Sequence, residues 1–152
     1  MLRQSFNDRL RDAMKARDSR TVSAVRLILA ALKERDVAAR GAGKEAEIGE
    51  SEIHRMLQGM IKQRRESATL YEQGNRPDLA RREREEIAVI ESFLPRQMSE
   101  DEIAGAAQSA IAETGAAGPK DIGKVMAALR ERHAGAIDLA RAGAVVKRLL
   151  AG

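Results

Sequence analysis

Apolar residues recur along most of this chain at the three- and four-residue spacing of amphipathic helices, with little of the alternation typical of strands. Short stretches rich in Gly, Pro, Asp or Ser separate seven such segments. The pattern therefore predicts an all-α protein. The seven helices are predicted to begin near Leu2, Arg20, Ser51, Pro77, Glu100, Pro119 and Asp138.

The clearest break in this pattern lies at Phe93-Leu94-Pro95. Pro95 disfavours helical geometry at Leu94, and Ser99 with Glu102 has the spacing of a capping box that starts a new helix. The chain before the break is crowded with charge, whereas the chain after it is rich in Ala and Gly. We predict an N-terminal four-helix domain over residues 1–94, followed by a small three-helix bundle over residues 95–152.

The second predicted helix, from about Arg20 to Ala39, is apolar on most of its sides between Val22 and Leu32. A helix that is apolar all round is normally buried, so we expect this one at the centre of the first domain. Arg26 and Lys33 share one face, where they can reach solvent or a carboxylate. The Gly-rich stretch 40–50 after it is predicted to be a loop.

The third and fourth predicted helices flank the short turn Gly74–Asp78 and must form an antiparallel hairpin. A charge interrupts the apolar stripe of each helix, at Arg64 and at Glu86. These two positions are equally far from Asn75, so they face each other in a symmetric hairpin. We predict an Arg64–Glu86 ion pair at the seam, with Glu83 as the alternative partner.

Composition excludes several kinds of chemistry. The chain has no Cys, which excludes disulfides, thiol catalysis and thiolate metal sites. His54 and His133 are the only histidines, so a His-rich zinc site is not expected. The carboxylates lie mainly among basic residues on helix surfaces rather than in apolar pockets. We therefore predict no catalytic residues, no metal site and no cofactor.

Hydropathy and net charge limit the cellular location and the kinds of partner that can be expected. No apolar run approaches the roughly 20 residues of a membrane span, and Met1–Asp8 lacks a signal-peptide core. The expected location is the cytoplasm, with no membrane partner. The net charge is +4, and basic residues outnumber acidic ones by 19 to 16 up to Leu94 and by 8 to 7 after it. Neither half is a strongly basic arm, so the charge is compatible with a nucleic-acid partner without requiring one.

The segment Gly118–Val125 comes close to a phosphate-binding P-loop. Val125 stands where that motif needs Ser or Thr, and a helical segment stands where it needs a strand, so nucleotide binding is rejected. A weaker attraction for anions remains at the start of the sixth helix, from free amides and from Lys120 and Lys124. Gly123 is expected to let another helix approach closely.

Several short motifs follow one another in order from the third helix to near the C-terminus. They are Lys62-Gln63-Arg64, Gly74-Asn75-Arg76 with Asp78-Leu79-Ala80, Glu86-Ile87 with Phe93-Leu94-Pro95, Gln97-Met98-Ser99-Glu100 and Ile122-Gly123-Lys124-Val125-Met126. In this order they resemble the YqeY family (GatB/YqeY). The second half of that family is similar to the tail domain of the B subunit of the aspartyl/glutamyl-tRNA amidotransferase, here about Lys120 to Leu150.

The resemblance implies a function without implying catalysis. In the amidotransferase the tail is an all-helical module that helps hold tRNA, while the chemistry lies in other domains. A label of carbon–nitrogen ligase with glutamine as amido-N-donor would be transferred from that larger enzyme. The leading hypothesis is a stand-alone helical module that binds tRNA, or a tRNA–enzyme complex, through its phosphates. The candidate RNA-binding residues are Lys120, Lys124, Lys147 and Arg148.

Two other functions remain open. One is a protein-interaction adaptor that uses the Ala-rich second domain or the loop 40–49. The other is an accessory subunit of a glutamine-dependent tRNA amidotransferase, which would stimulate amidation only when the other subunits are present.

Overall fold

The computed structural model describes residues 1–43 and 47–152, and this part of the chain contains helices and no strand. The prediction of an all-α protein is confirmed. The chain separates into two compact units, Met1–Leu94 and Pro95–Gly152, which we call unit 1 and unit 2. Three residues of the loop 40–50 lie outside the described residues.

Four helices of unit 1 and three of unit 2 follow one another along the chain. Unit 1 contains α1 (Leu2–Lys15), α2 (Ser19–Gly41), α3 (Glu50–Gln73) and α4 (Pro77–Glu91). Unit 2 contains α5 (Glu100–Thr114), a 3-10 turn (Pro119–Asp121), α6 (Ile122–Arg132) and α7 (Leu139–Ala151). The sixth helix thus begins later than predicted, because its first three residues form the tighter turn.

Side-chain caps account for where three of these helices begin. The Asp18 carboxylate accepts a hydrogen bond from the Thr21 amide at 3.1 Å and so caps α2. The predicted capping box of α5 is present, since Ser99 and Glu102 each accept a hydrogen bond from the other's amide. Asp138 caps α7 by accepting hydrogen bonds from the amides that follow it. Each cap satisfies amides that have no partner within the first turn.

The core of unit 1 is built mainly from α2, α3 and α4, with α1 packed against α2. Short turns join α1 to α2 and α3 to α4, so neighbouring helices pack along each other. Phe6 of α1 lies edge-on to Phe93, with ring centroids 4.9 Å apart. The most deeply buried large side chains are Phe6, Val25, Ile28, Ile53, Met56, Leu57 and Ile90.

Helix α2 contacts all three other helices of unit 1, as expected for a central helix, but one of its sides is open. Its side bearing Val25 and Ile28 is fully buried, but Leu27 remains 42% exposed and Val37 57% exposed. Unit 1 has only three other helices to pack around α2, which leaves one of its sides uncovered. Met14 of α1 was also expected to face inward and is 53% exposed, because α1 packs through Phe6 and Ala13 instead.

Unit 2 is a bundle in which α5, α6 and α7 each contact the other two. Alanines at positions 107, 110 and 142 are fully buried, so the helices meet across small side chains. The α6–α7 turn is tied to the start of the unit, since the Gln97 Nε2 donates to the Gly135 carbonyl at 2.7 Å and the Met98 amide donates to the Ala136 carbonyl at 2.9 Å. Gly135 has φ +76°, a conformation that favours glycine.

Gly123 does not have the packing role that we predicted. It is exposed at the start of α6, and a Cβ atom at this position would meet nothing within 4 Å. The helix packs into the bundle through Val125 and Leu129, which lie on its other side. The expectation of a close helix approach at Gly123 is therefore wrong.

Candidate nucleic-acid interface

The turn that carries Lys120 is held in place by its own sequence. Pro119 has the backbone φ that the first position of such a turn requires. The Asp121 carboxylate accepts a hydrogen bond from the Ala117 amide at 2.9 Å and closes the segment on itself. That amide hydrogen bond holds the pKa of Asp121 below its ordinary value, and the positive charge of Lys124 acts in the same direction.

The free amides expected at the start of α6 are largely in use. The Asp121 amide donates to the Gly118 carbonyl at 3.0 Å, and the Ile122 amide donates to the Pro119 carbonyl. The prediction of open amides is wrong for these two groups, because the 3-10 turn precedes the helix and takes up their hydrogen bonds. Attraction for an anion at this place therefore depends on side chains.

Lys120 and Lys124 are both exposed and stand four residues apart, one in the 3-10 turn and one in the first turn of α6. In the part of the chain that the structure describes, neither ammonium group forms an ion pair. Asp121 lies between them in sequence, but its carboxylate is directed to the Ala117 amide. Both cations are thus available to a ligand in solution.

Lys147 and Arg148 occupy the last turns of α7 and are also exposed. The buried side chains of Val146 and Leu150 anchor this end of α7 in the bundle. Helix α7 contacts both α6 and the 3-10 turn, and these two also contact each other, so the three elements that carry the four candidate cations are neighbours. Lys147 and Arg148 likewise form no ion pair with any described residue.

Other arginines of unit 2 behave differently. Three of them contact carboxylates, in the pairs Arg96–Glu102, Arg132–Glu113 and Arg141–Glu100. Arg130 on α6 forms no ion pair among the described residues and is exposed. Paired guanidinium groups have less charge to offer to a polyanion, so the candidate interface consists of the four unpaired cations that the sequence predicted, without Arg130. We use this name for Lys120, Lys124, Lys147 and Arg148.

In unit 1 the structure brings together the two charges of the hairpin seam. The Arg64 Nε donates to Glu86 Oε2 at 3.0 Å, and both side chains are only 14% exposed. Glu83, the alternative partner, forms no ion pair with Arg64 among the described residues. Burial, and then the negative charge of Glu86, raise the pKa of Glu83 above its ordinary value.

Sequence reasoning missed a second, partly buried ion pair in unit 1. The Arg3 guanidinium donates two hydrogen bonds to the Asp36 carboxylate, at 2.8 and 2.9 Å, and Asp36 also accepts the Ile48 amide at 2.9 Å. The hydrogen bond from Arg3 lowers the pKa of Asp36 to about 2. A signal was available, since Asp36 continues the buried stripe of Ile28 and Leu32 at four-residue spacing.

Two structural searches bear on other kinds of site. Among residues 1–43 and 47–152, no cluster of three or more His, Cys, Asp or Glu side chains is arranged to hold a metal ion. No helix in that same part of the chain is long and apolar enough to cross a membrane.

Two comparisons with known proteins place the chain among relatives. A family model described as "Yqey-like protein" matches residues 3–150. A curated protein of Lachancea thermotolerans, "Altered inheritance of mitochondria protein 41, mitochondrial", is 31% identical over 85 residues. The matched region is 56% of this chain and 43% of that protein, so the chain corresponds to less than half of the relative's length.

Proposed function

This chain belongs to the YqeY-like family, and we propose that it is a stand-alone RNA-binding module that is not catalytic by itself, with tRNA as its ligand. The proposal assigns binding to the candidate interface of unit 2. Unit 1 carries no RNA contact of its own in this scheme.

The observation that carries the proposal is the state of four exposed cations. Lys120, Lys124, Lys147 and Arg148 form no ion pair in the described part of the chain and lie on three elements that contact one another. Phosphate groups supply most of the affinity for nucleic acids, and they are held by cations of this kind. The resemblance of Lys120–Leu150 to a tRNA-holding tail supports tRNA as the RNA species.

The mode of binding follows from what unit 2 lacks. The three aromatic residues of the chain, Phe6, Tyr71 and Phe93, all lie in unit 1. Unit 2 therefore has no Phe, Tyr or Trp ring on which a base can stack. Its basic residues exceed its acidic ones only by 8 to 7, so there is no large uniform field either. We expect modest affinity that depends on the phosphates and the shape of the RNA, with little sequence preference.

A salt series with matched variants tests the proposal. We expect unfractionated tRNA to bind the full chain at low salt and to weaken steeply as salt is added. Lys120→Glu combined with Lys124→Glu should weaken binding by roughly tenfold to a hundredfold and lower the salt slope by about two. The matched control is Arg81→Glu with Arg82→Glu, an equal charge change at exposed positions of α4.

Two results would contradict the proposed RNA-binding function. One is the absence of tRNA binding at about 20 mM salt, where electrostatic contacts are strongest. The other is an equal loss of affinity in the α4 control, which would mean that only net charge matters and that the candidate interface has no special part.

An accessory role in a glutamine-dependent tRNA amidotransferase is a second candidate function. It would account for a carbon–nitrogen ligase label, and the family resemblance supports it. Amidation assayed with and without the chain decides it, since the chain should raise the rate only in the presence of the other subunits. An adaptor function that uses the Ala-rich second domain or the loop 40–49 is the third candidate, and a protein partner captured at high salt after nuclease treatment would favour it.

The cellular location is also a proposal. The hydropathy of the sequence favours the cytoplasm, whereas the Lachancea relative is named as a mitochondrial protein. Fractionation of cells that express a tagged chain distinguishes the two locations.

A further inference from the structure

The exposed side of α2 is centred on Ala30. An α-helix has 3.6 residues per turn, so the positions three, four and seven residues before and after Ala30 lie on the same side of the helix as Ala30. The side chains on it are Ser23, Arg26, Leu27, Ala30, Lys33, Glu34 and Val37, and all are exposed. We call these seven residues the α2 open face.

Its composition is unusual for a solvent-facing helix surface. Outer positions of α3 and α4 are mostly charged, whereas the α2 open face includes Leu27, Ala30 and Val37. A cleft of about 650 Å³ adjoins it, with Met14 and Val22 in its lining. Clustered apolar side chains on a surface, ringed by polar ones, are characteristic of an interaction site.

Two of the three charges of this face are placed symmetrically about Ala30, whereas Lys33 has Leu27 as its mirror position. Arg26 precedes Ala30 by four residues and Glu34 follows it by four. Neither side chain forms an ion pair with any described residue of its own chain. If the same face of a second copy is placed antiparallel across a two-fold axis at Ala30, each Arg26 meets the Glu34 of the other copy. A two-fold interface requires this kind of self-complementarity.

The shape of the face has the same symmetry. In that antiparallel arrangement Val37 of one copy comes opposite Ser23 of the other. Ser23 lines the cleft together with Met14 and Leu27, so the protruding Val37 has an apolar hollow to enter. The small side chain of Ala30 at the axis allows the two helices to approach closely. Two such contacts form, one at each end of the helix pair.

We propose that the α2 open face is a homodimer interface, in which two copies of α2 pack antiparallel about Ala30 with reciprocal Arg26–Glu34 ion pairs. The pairing covers the side of α2 that unit 1 leaves open. It accounts for the sequence pattern of a helix that is apolar all round. The partner is a second copy of this chain rather than an unrelated protein, because the charge pattern complements itself.

A charge-exchange series measured by sedimentation equilibrium tests the proposal on the full chain. The wild type should show a mass that doubles with concentration. Arg26→Glu alone puts two carboxylates opposite each other at both of the equivalent 26–34 contacts, and Glu34→Arg alone puts two guanidinium groups there. Each single variant should therefore weaken dimerisation roughly tenfold to a hundredfold. The double exchange should return the dissociation constant to within about threefold of wild type.

The matched control for this series is Arg35→Glu. Arg35 is exposed on the same helix but lies away from the α2 open face, and it forms no ion pair among the described residues. Its reversal changes the net charge equally and should leave dimerisation unchanged. Circular dichroism of each variant confirms that it is folded before its mass is interpreted.

A crosslink tests the position of the axis independently. Because the chain has no Cys, an Ala30→Cys variant carries one thiol, which should form an intermolecular disulfide under mild oxidation. The Arg35→Cys variant should crosslink far more slowly. A monomer at every concentration up to about 1 mM, where even weak dimers form, would overturn the proposal. So would a dimer that ignores the single reversals, or a double exchange that stays as weak as they are.

Discussion

Unit 1 and unit 2 use their basic residues in opposite ways. In unit 1, Arg3 and Arg64 extend into partly buried seams and meet carboxylates there, at Asp36 and at Glu86. In unit 2, the buried residues are apolar without exception, and the basic side chains lie at the surface. Charge thus contributes to the packing of the first unit, whereas on the second it stays at the surface, either in exposed ion pairs or unpaired.

The difference matters because burial changes what a charge contributes. A half-buried ion pair has lost much of its hydration, so removing one partner leaves an uncompensated charge and costs several kcal/mol. An exposed lysine remains hydrated, and its replacement scarcely affects the folded state. Substitutions in the partly buried ion pairs should therefore lower the stability of unit 1. Substitutions of the exposed lysines of unit 2 should change its binding properties and leave its stability nearly unchanged.

The largest expected effect is that of Asp36→Ala. It leaves the Arg3 guanidinium without its carboxylate and the Ile48 amide without its acceptor, and should lower the free energy of unfolding of unit 1 by about 3 kcal/mol. Tyr71 is the only Tyr and there is no Trp, so its fluorescence during urea unfolding reports unit 1. The control is Asp12→Ala at an exposed position of α1. Equal losses in the two variants would contradict the structural role of Asp36.

A double-mutant cycle on the hairpin seam should give the next largest effect. Arg64→Met and Glu86→Leu should each cost about 2–3 kcal/mol, whereas the double variant should be close to wild type, because no lone charge remains in the seam. The same tyrosine signal measures all four proteins. Independent, additive losses would show that the two side chains do not stabilise each other.

Acid should weaken unit 1 through Asp36. The pKa of this carboxyl is lowered to about 2 in the folded chain, below its value in an unfolded chain, so the charged form favours folding. This stabilisation is present above about pH 4 and is lost as the pH falls towards 2, with a total of about 2 kcal/mol. The loss should be smaller in Asp36→Asn. An identical pH profile for the variant would exclude Asp36 as the titrating group.

The smallest effect is expected at the candidate interface. Replacing Lys120 and Lys124 together by Ala should change the unfolding free energy of unit 2 by no more than about 0.5 kcal/mol, since both side chains are exposed and unpaired. Helix content followed by circular dichroism measures this. A loss above 1.5 kcal/mol, larger than exposed side chains normally cause, would mean that the two lysines support the fold and would remove the contrast between the units.

Helix positions and caps could be predicted because they depend on neighbours in sequence. Ser99 and Glu102 form their capping box from residues three apart. The Arg64–Glu86 contact could also be anticipated, since a short turn places two positions of a hairpin opposite each other. The Arg3–Asp36 pair was missed because its partners, although on helices joined by a short turn, are not equally far from it: Arg3 lies 14 residues before Arg17 and Asp36 lies 19 residues after it.

The sequence by itself determined the all-helical class, the family and the approximate helix limits, and it nominated the cations of the candidate interface. Those features depend on periodicity, turn residues and charges that are local to the chain. Only the tertiary structure decided that α2 is left open on one side, that Gly123 faces outward and that Asp36 is clamped by Arg3. The physical reason is that the burial of a helix side depends on how many other helices are available to cover it. An apolar pattern shows which side of a helix is suited to burial, but it does not show which neighbouring helix covers that side.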